Sequence, residues 1–325
     1  MTLVIETSGL TRRFANVTAV DGLTISIEAG DVFGFLGHNG AGKTTTVRLL
    51  NGVLAATSGS ARVFGLDPAI HGPAVRRRTG VLTETPSLDD RLSARATLRI
   101  YADIYGVPRE QVNRRVDELL DLFDLSARAN AKVGEFSKGM RQKMALARTL
   151  LHNPEIIFLD EPTAGLDPAA TREVHQLIMR VSRSEKRTVF LCTHNLYEAQ
   201  RLCSHVAVLS QGRLLAAGAP AELAVRYGRR QRMILEVDPQ QRTHALDCLT
   251  KLQWSPRAEA DADNSAVVHV QGTPRGVIPA MIAALVEAGV SIYQVIEEEA
   301  SLEDVYFALQ ERASQAGEDG DGAWQ

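Results

Sequence analysis

Apolar and polar residues alternate through "LTISIEAGDVFGFLG", break at Ala29-Gly30-Asp31, and then run apolar from Val32 to Leu36 into Gly37. Alternation predicts a half-buried strand, and an unbroken apolar run of this length predicts a strand covered on both faces. Residues 3–35 as a whole read as short strands with turns. After Lys43 the spacing turns helical in "TTTVRLLNGVL". From about Ser87 to Leu151 the pattern is mostly helical, in "RATLRIYADIYGV", "EQVNRRVDELLDLFDL" and "SKGMRQKMALARTLLHN". "EIIFLDEP" then predicts another buried strand, "TREVHQLIMRVSR" a helix, "RTVFLCTH" a strand, "NLYEAQRLC" a helix and "HVAVLSQGRLLAAG" a pair of strands. Alternating strands and helices predict a parallel sheet, and the helical block at about 87–151 predicts a subdomain inserted into it.

The character shifts near Tyr227. "GRRQR" reads as a basic connector, and "MILEV", "HALDCLTKLQ", "AVVHVQG", "GVIPAMIAALVEAGV", "IYQVIEE" and "SLEDVYFALQERA" alternate strand and helix. The pattern predicts a first domain over 1–228 and a small C-terminal α/β domain over 229–312. The Gly- and acid-rich "SQAGEDGDGAWQ" predicts a frayed tail over 313–325.

Composition narrows the classes. The chain has 325 residues, of which 45% are hydrophobic and 23% charged, the balance of a globular soluble protein. A net charge of −3 gives no general attraction to nucleic acid, so no nucleic-acid partner is expected. Three cysteines, Cys192, Cys203 and Cys248, have no CxxC spacing and fit a reducing compartment without a disulfide framework. The start, "MTLVIETSGLTRRF", lacks a basic segment followed by an apolar core, so no signal peptide is expected. The longest apolar stretch, near Val277 to Val290, is shorter than the roughly 20 residues of a spanning helix and contains Glu287. Runs such as Arg76-Arg77-Arg78 and Arg226/Arg229/Arg230/Arg232 are ordinarily solvated faces.

Between the first buried strand and its helix lies Gly37-His38-Asn39-Gly40-Ala41-Gly42-Lys43-Thr44, a match to G-x-x-x-x-G-K-[ST], followed by Thr45. Its glycines let successive backbone N–H groups curl around an anion, and the helix start adds positive potential. Lys43 is placed to reach the β- and γ-phosphates of a nucleotide, and the Thr44 hydroxyl to coordinate Mg²⁺. "IIFLDEP" puts Asp160 and Glu161 at the carboxyl end of a buried strand, where doubly wound sheets bind ligands. Asp160 suits the Mg²⁺ water shell, and Glu161 suits orienting or deprotonating an attacking water. In "FSKGMRQK", Ser137 suits a helix N-cap and Gly139 leaves backbone open to an anion, although the segment alone is an ordinary helix start.

In this order the motifs resemble those of the ATP-binding subunits of ABC transporters. The P-loop at 37–44 is followed by a helical insertion and by a signature at Ser137-Lys138-Gly139-Met140. The Walker B strand at 156–161, the D-loop Ala164-Gly165-Leu166-Asp167 and a switch histidine, His194, come next. The likeness spans about residues 3–225 and implies an α/β fold: a P-loop NTPase core with an inserted helical subdomain, joined to the small C-terminal accessory domain. It implies that two subunits close head to tail with ATP and Mg²⁺ between one P-loop and the partner's Ser137, Gly139 and Met140. Glu161 is then the general base, His194 a γ-phosphate contact, Asp167 a link across the dimer, and Phe14 the aromatic that stacks on adenine. Glu84 stands where the family usually has the Q-loop glutamine; a carboxylate there can ligate Mg²⁺ but cannot donate as an amide does. The signature lacks the usual second glycine and final glutamine. "SKGM" and the C-terminal "SLEDVYFALQ" are similar to the ABC-2 type, daunorubicin-resistance-like branch of drug, antibiotic and lipid exporters. That branch implies a separately encoded multi-spanning permease and a place at the cytoplasmic face of the membrane. An importer ATPase is disfavoured because its usual extension is a small β-barrel. A ribosome- or DNA-directed ABC protein is disfavoured by the single P-loop and by the lack of coiled-coil or zinc insertions.

Overall fold

The computed structural model describes residues 2–85, 87–227, 232–252, 257–261, 264–271, 275–298 and 301–318. The chain forms two compact units, Met1–Pro220 and Ala221–Gln325. The division falls ahead of "GRRQR", and residues 228–231 of that connector lie outside the described residues.

The first unit opens with strands β1 (Leu3–Phe14), β2 (Val17–Leu23) and β3 (Ser26–Glu28). Strand β4 (Val32–Leu36) leads to helix α1 (Lys43–Leu50). Then come β5 (Ser58–Val63), α2 (Pro68–Arg78) and β6 (Thr79–Leu82), and helices α3 (Ala94–Ile104), α4 (Arg109–Leu122) and α5 (Lys138–Leu150). The core resumes with β7 (Ile156–Asp160), α6 (Pro168–Glu185), β8 (Thr188–Thr193), α7 (Leu196–Leu202), β9 (His205–Ser210) and β10 (Arg213–Gly218).

The expected parallel sheet is present. Its six strands run in the order β10-β9-β4-β8-β7-β6, all neighbours parallel except β10, which turns back antiparallel on β9. Every residue of β4, β7 and β8 is buried, as the unbroken apolar runs require. Phe190 sits at the centre, with ring centroids 5.7, 5.1 and 5.3 Å from those of Phe33, Phe35 and Phe158. Register sets where the strands stop. Leu36 pairs with Thr193, and Asp160 with Cys192, so β4, β7 and β8 end level with one another. The loops leaving these strands therefore emerge from one edge.

A second, antiparallel sheet runs β2-β1-β3, with β5 also on β1. Here β1 is a single strand of 12 residues rather than a series of short ones, because β3, β5 and β2 claim successive stretches of it. The elements at 51–82 carry no clear apolar period: β5 is mostly exposed, and α2 holds Pro73 and a kink at His71. The helical insertion is α3 to α5, with Ser93 and Ser137 as side-chain N-caps of α3 and α5.

The second unit contains β11 (Arg232–Val237), α9 (Arg242–Thr250), β12 (Arg257–Ala260), β13 (Val267–Gln271), α10 (Ile278–Glu287), β14 (Ile292–Glu298) and α11 (Leu302–Glu318), after helix α8 (Pro220–Tyr227) at the division. The sheet order β12-β13-β11-β14, antiparallel throughout, gives the split β-α-β-β-α-β pattern of ferredoxin-like folds. Its core joins Met233, Leu235, Leu249, Val268, Met281 and Leu285. Helix α11 continues to Glu318, past the start expected for the tail. Among the described residues, no helix is long and apolar enough to cross a membrane.

Candidate nucleotide site

The loop after β4, the end of β7 with Glu161, the segment after β6 and Ala19 of β2 meet in a cleft of about 280 Å³. It is lined by Ala19, His38, Asn39, Gly40, Gly42, Lys43, Thr44, Thr45, Glu84, Asp160 and Glu161. The loop after β4 supplies the glycines. Gly42 has φ +104°, and a Cβ there would strike the carbonyl oxygen of Ala19, so both its backbone angle and its neighbour demand glycine. It is also the N-cap of α1 and has no side chain to occupy the first-turn N–H groups, which face the loop.

Lys43 opens α1 and is buried. Its ammonium donates to the carbonyls of Gly37 at 2.5 Å and His38 at 3.4 Å, and lies 3.3 Å from Glu161 Oε1. The positive charge is thus drawn into the loop it serves. Beside it, the Thr44 hydroxyl donates to Asp160 Oδ2 at 2.8 Å. Burial pushes the Asp160 carboxyl above its ordinary value, against the Thr44 hydrogen bond; Glu161 and Glu84 add to the rise and Lys43 opposes it.

Glu161 follows β7 with φ +49°, a left-handed backbone that non-glycine residues adopt at a cost of about 1–3 kcal/mol. Its N–H donates to the Cys192 carbonyl of β8 at 2.9 Å, which holds it there. His194 Nδ1 lies 2.9 Å from Glu161 Oε2, and Thr193 Oγ1 lies 3.4 Å from the same oxygen. Glu161 Oε1 is buried and has no hydrogen-bond donor among the described residues, because the Lys43 approach is an ion-pair contact and not an aligned bond. The site thus presents one carboxylate oxygen held by His194 and one with free acceptor capacity.

These residues fit Mg²⁺-nucleotide. The uncapped helix start, the ammonium and the glycine loop suit phosphate oxygens. No group of three or more His, Cys, Asp or Glu that could hold a metal alone occurs among the described residues. One hydroxyl–carboxylate pair is what Mg²⁺ uses when phosphates complete its shell.

The other expected residues lie elsewhere. Ser137, Gly139, Met140, Asp167 and Phe14 are not among the residues lining this cleft. Ser137 Oγ accepts the Met140 N–H at 3.2 Å and caps α5; Asp167 Oδ1 accepts the Ala170 N–H at 2.9 Å and caps α6. A Cβ on Gly139 would come within 3.1 Å of Ala170 Cβ, so glycine also lets the start of α5 pack on α6. The Lys138 ammonium rests where a Cβ on Gly165 would lie, against the D-loop. Phe14 ends β1 with the Arg12 guanidinium 4.5 Å from its ring centre. Glu84 is exposed and lines the cleft near Asp160.

Sequence reasoning missed a layer beneath the cleft. Gln142 of α5 donates to the Pro162 carbonyl at 2.6 Å, and the wholly buried Glu198 joins Thr163, His175 and Thr193. All of these contacts but Thr193–Glu198 join residues 20 or more apart in sequence, and only the pattern Asn195-x-x-Glu198 gave a local signal, that of a helix start.

Comparison with known proteins agrees with the geometry. The ABC transporter family profile matches residues 20–164. The bacitracin transport ATP-binding protein BcrA of Bacillus licheniformis is 34% identical over 309 residues, 95% of this chain and 98% of the relative. The daunorubicin/doxorubicin resistance ATP-binding protein DrrA of Streptomyces peucetius is 34% identical over 308 residues, covering 95% and 92%. Among solved structures, an ATP-binding subunit of an ABC transporter superposes with a TM-score of 0.63 at 30% identity, covering 70% of this chain and 93% of that one. The chain belongs to the ATP-binding subunits of ABC transporters. It is an ATPase of that family, and its likeness to BcrA and DrrA runs over nearly the full length of the chain.

Proposed function

We propose that two copies of this chain close around ATP and Mg²⁺ and drive a separately encoded multi-spanning permease from the cytoplasmic face of the membrane. Its cargo class is a drug, an antibiotic or a lipid; the relatives named for bacitracin transport and for daunorubicin/doxorubicin resistance support the first two. Lys43 and the loop 37–45 hold the phosphates. Thr44, Asp160 and Glu84 would hold Mg²⁺, which supplies charge neutralisation at the phosphates when bound. Glu161 takes the proton of the attacking water on its free Oε1, while His194 fixes its Oε2. Ser137, Gly139 and Met140 serve the partner copy's nucleotide, Asp167 links the two copies, and Phe14 stacks on adenine at the cleft's margin.

The observation that carries the reading is the convergence of Lys43, the Thr44–Asp160 pair and the Glu161–His194 pair on one edge. Affinity purification of the chain from its native membranes in mild detergent tests the partner. Recovery of one multi-spanning protein in about equal copies is expected. Recovery of ribosomal or soluble partners alone, with ATP binding intact, would overturn the transport role.

A further inference from the structure

Asn195 and Glu198 stand at the N-cap and third position of α7, the spacing of a capping box, in which the glutamate reaches back to the N-cap N–H. That is not what is built here. Asn195 Oδ1 accepts the Glu198 N–H at 3.1 Å, but the Asn195 N–H donates to Thr193 Oγ1 at 3.0 Å. The Glu198 carboxylate is released from capping and turned into the interior, where it is 0% exposed.

There it collects donors from separate elements. Oε2 accepts the Thr193 hydroxyl at 2.9 Å, and Oε1 accepts the Thr163 hydroxyl at 3.1 Å and meets His175 Nε2 at 3.0 Å. Thr163 stands two residues past Glu161 at the entry to the D-loop. His175 lies about two turns into α6, which the D-loop residue Asp167 caps. Thr193 immediately precedes His194.

Thr193 has one hydroxyl proton. It accepts the Asn195 N–H and has two carboxylates to choose from: Glu198 Oε2 at 2.9 Å and Glu161 Oε2 at 3.4 Å. The shorter contact takes the proton, which fixes the rotor and leaves Glu161 Oε2 to His194 Nδ1. An apolar side chain would fill this space at lower desolvation cost than a carboxylate. What the carboxylate adds is a joint between parts that a packed interior forces to move together.

We propose that Glu198 is a positioning residue for hydrolysis. Its carboxylate sets Thr193 and His194 against Glu161, and through Thr163 and His175 it makes that setting track the D-loop and α6. The proposal rests on the reading of Glu161 as the group that activates water.

The test is steady-state ATP hydrolysis and equilibrium ATP binding by the full chain, with thermal midpoints, for Glu198→Gln, Thr163→Val, their double variant and Glu161→Gln. Gln preserves shape, so a packing role predicts parent-like turnover. The joint predicts a kcat loss of about ten- to a hundredfold, as for misplacing a group near the chemistry, with KM and thermal midpoint near the parent's. It also predicts that Thr163→Val lowers kcat less and adds nothing on top of Glu198→Gln. Parent-like kcat in folded Glu198→Gln, or losses that multiply in the double variant, would overturn it. Should Glu198→Gln not fold, Thr163→Val decides alone: a lowered kcat at constant KM supports the joint, and parent-like kinetics overturn it. Unimpaired turnover in Glu161→Gln would instead strike down the water-activating role itself, whatever Glu198 does.

Discussion

At the edge where β4, β7 and β8 end, Lys43, Asp160 and Glu161 are 6%, 5% and 7% exposed, and each is bound to another member of the site. At the starts of α5 and α6, Ser137 and Lys138 are exposed, and Ser137 and Asp167 spend their side chains on capping their own helices. The first region carries costs that folding alone does not require: a buried carboxylate pushed up in pKa, a glutamate in left-handed backbone and an acceptor without a donor. The second is satisfied locally and needs no ligand to explain it. Strain and unmet polar capacity mark the first region as a site; the capping bonds of the second are what any helix start uses and assign it no chemistry by themselves.

The contrast can be broken by mutation. The largest effect is expected for Glu161→Gln, which removes the proton acceptor but keeps its shape. Turnover should fall roughly 10²–10⁴-fold, the contribution of a positioned general base, while ATP binding measured by equilibrium dialysis persists. Lys43→Ala should abolish tight ATP binding itself, since it deletes the buried charge that faces the phosphate loop; binding equal to the parent's would remove Lys43 from the site.

Ser137→Ala sharpens the comparison. If the signature acts only on a partner's nucleotide, the variant binds ATP as the parent does, but its nucleotide-dependent dimerisation, tracked by light scattering, is weakened. Loss of the α5 cap alone costs about 1 kcal/mol of stability, so a lowered thermal midpoint with unchanged dimerisation would leave Ser137 a structural residue.

The smallest effect concerns Asp160→Asn. The folded-state pKa of Asp160 is raised, burial being the main cause. The stability it contributes is therefore full below the unfolded value and lost as pH rises through the folded value. At neutral pH the carboxylate is a net burden on the nucleotide-free chain. Asp160→Asn should raise the thermal midpoint at pH 7 relative to the parent, with the gap closing toward acid pH, and should erase any further stabilisation by Mg²⁺-ATP. A lowered midpoint at pH 7 would mean that Thr44 and Lys43 outweigh burial.

Legibility tracked locality. The P-loop could be read because glycine, lysine and threonine act within one turn of chain, and "VFGFL", "IIFLD" and "TVFLCT" because a doubly covered strand has to be apolar throughout. The segment 51–82 could not, because β5 pairs along an exposed polar stretch and α2 is kinked and holds a proline. Strand β12, "RAEA", was invisible for the same reason: it is an edge strand held by backbone bonds to β13. Glu198 offered only a capping pattern, and its partners lie 35, 23 and 5 residues away along the chain.

By itself the sequence determined which residues can hold a phosphate, which runs must be buried, and where the helical insertion interrupts them. These depend on side-chain chemistry and periodicity, which do not require distant contacts. Strand order and register were decided only by the tertiary structure. Pairing Leu36 with Thr193 and Asp160 with Cys192 brings Lys43, Glu161 and His194 together, and a register slip of one residue would turn the strand ends away from each other. The buried carboxylate of Glu198 was decided there too, because only a closed interior makes an uncompensated charge so costly that every neighbouring donor must turn toward it.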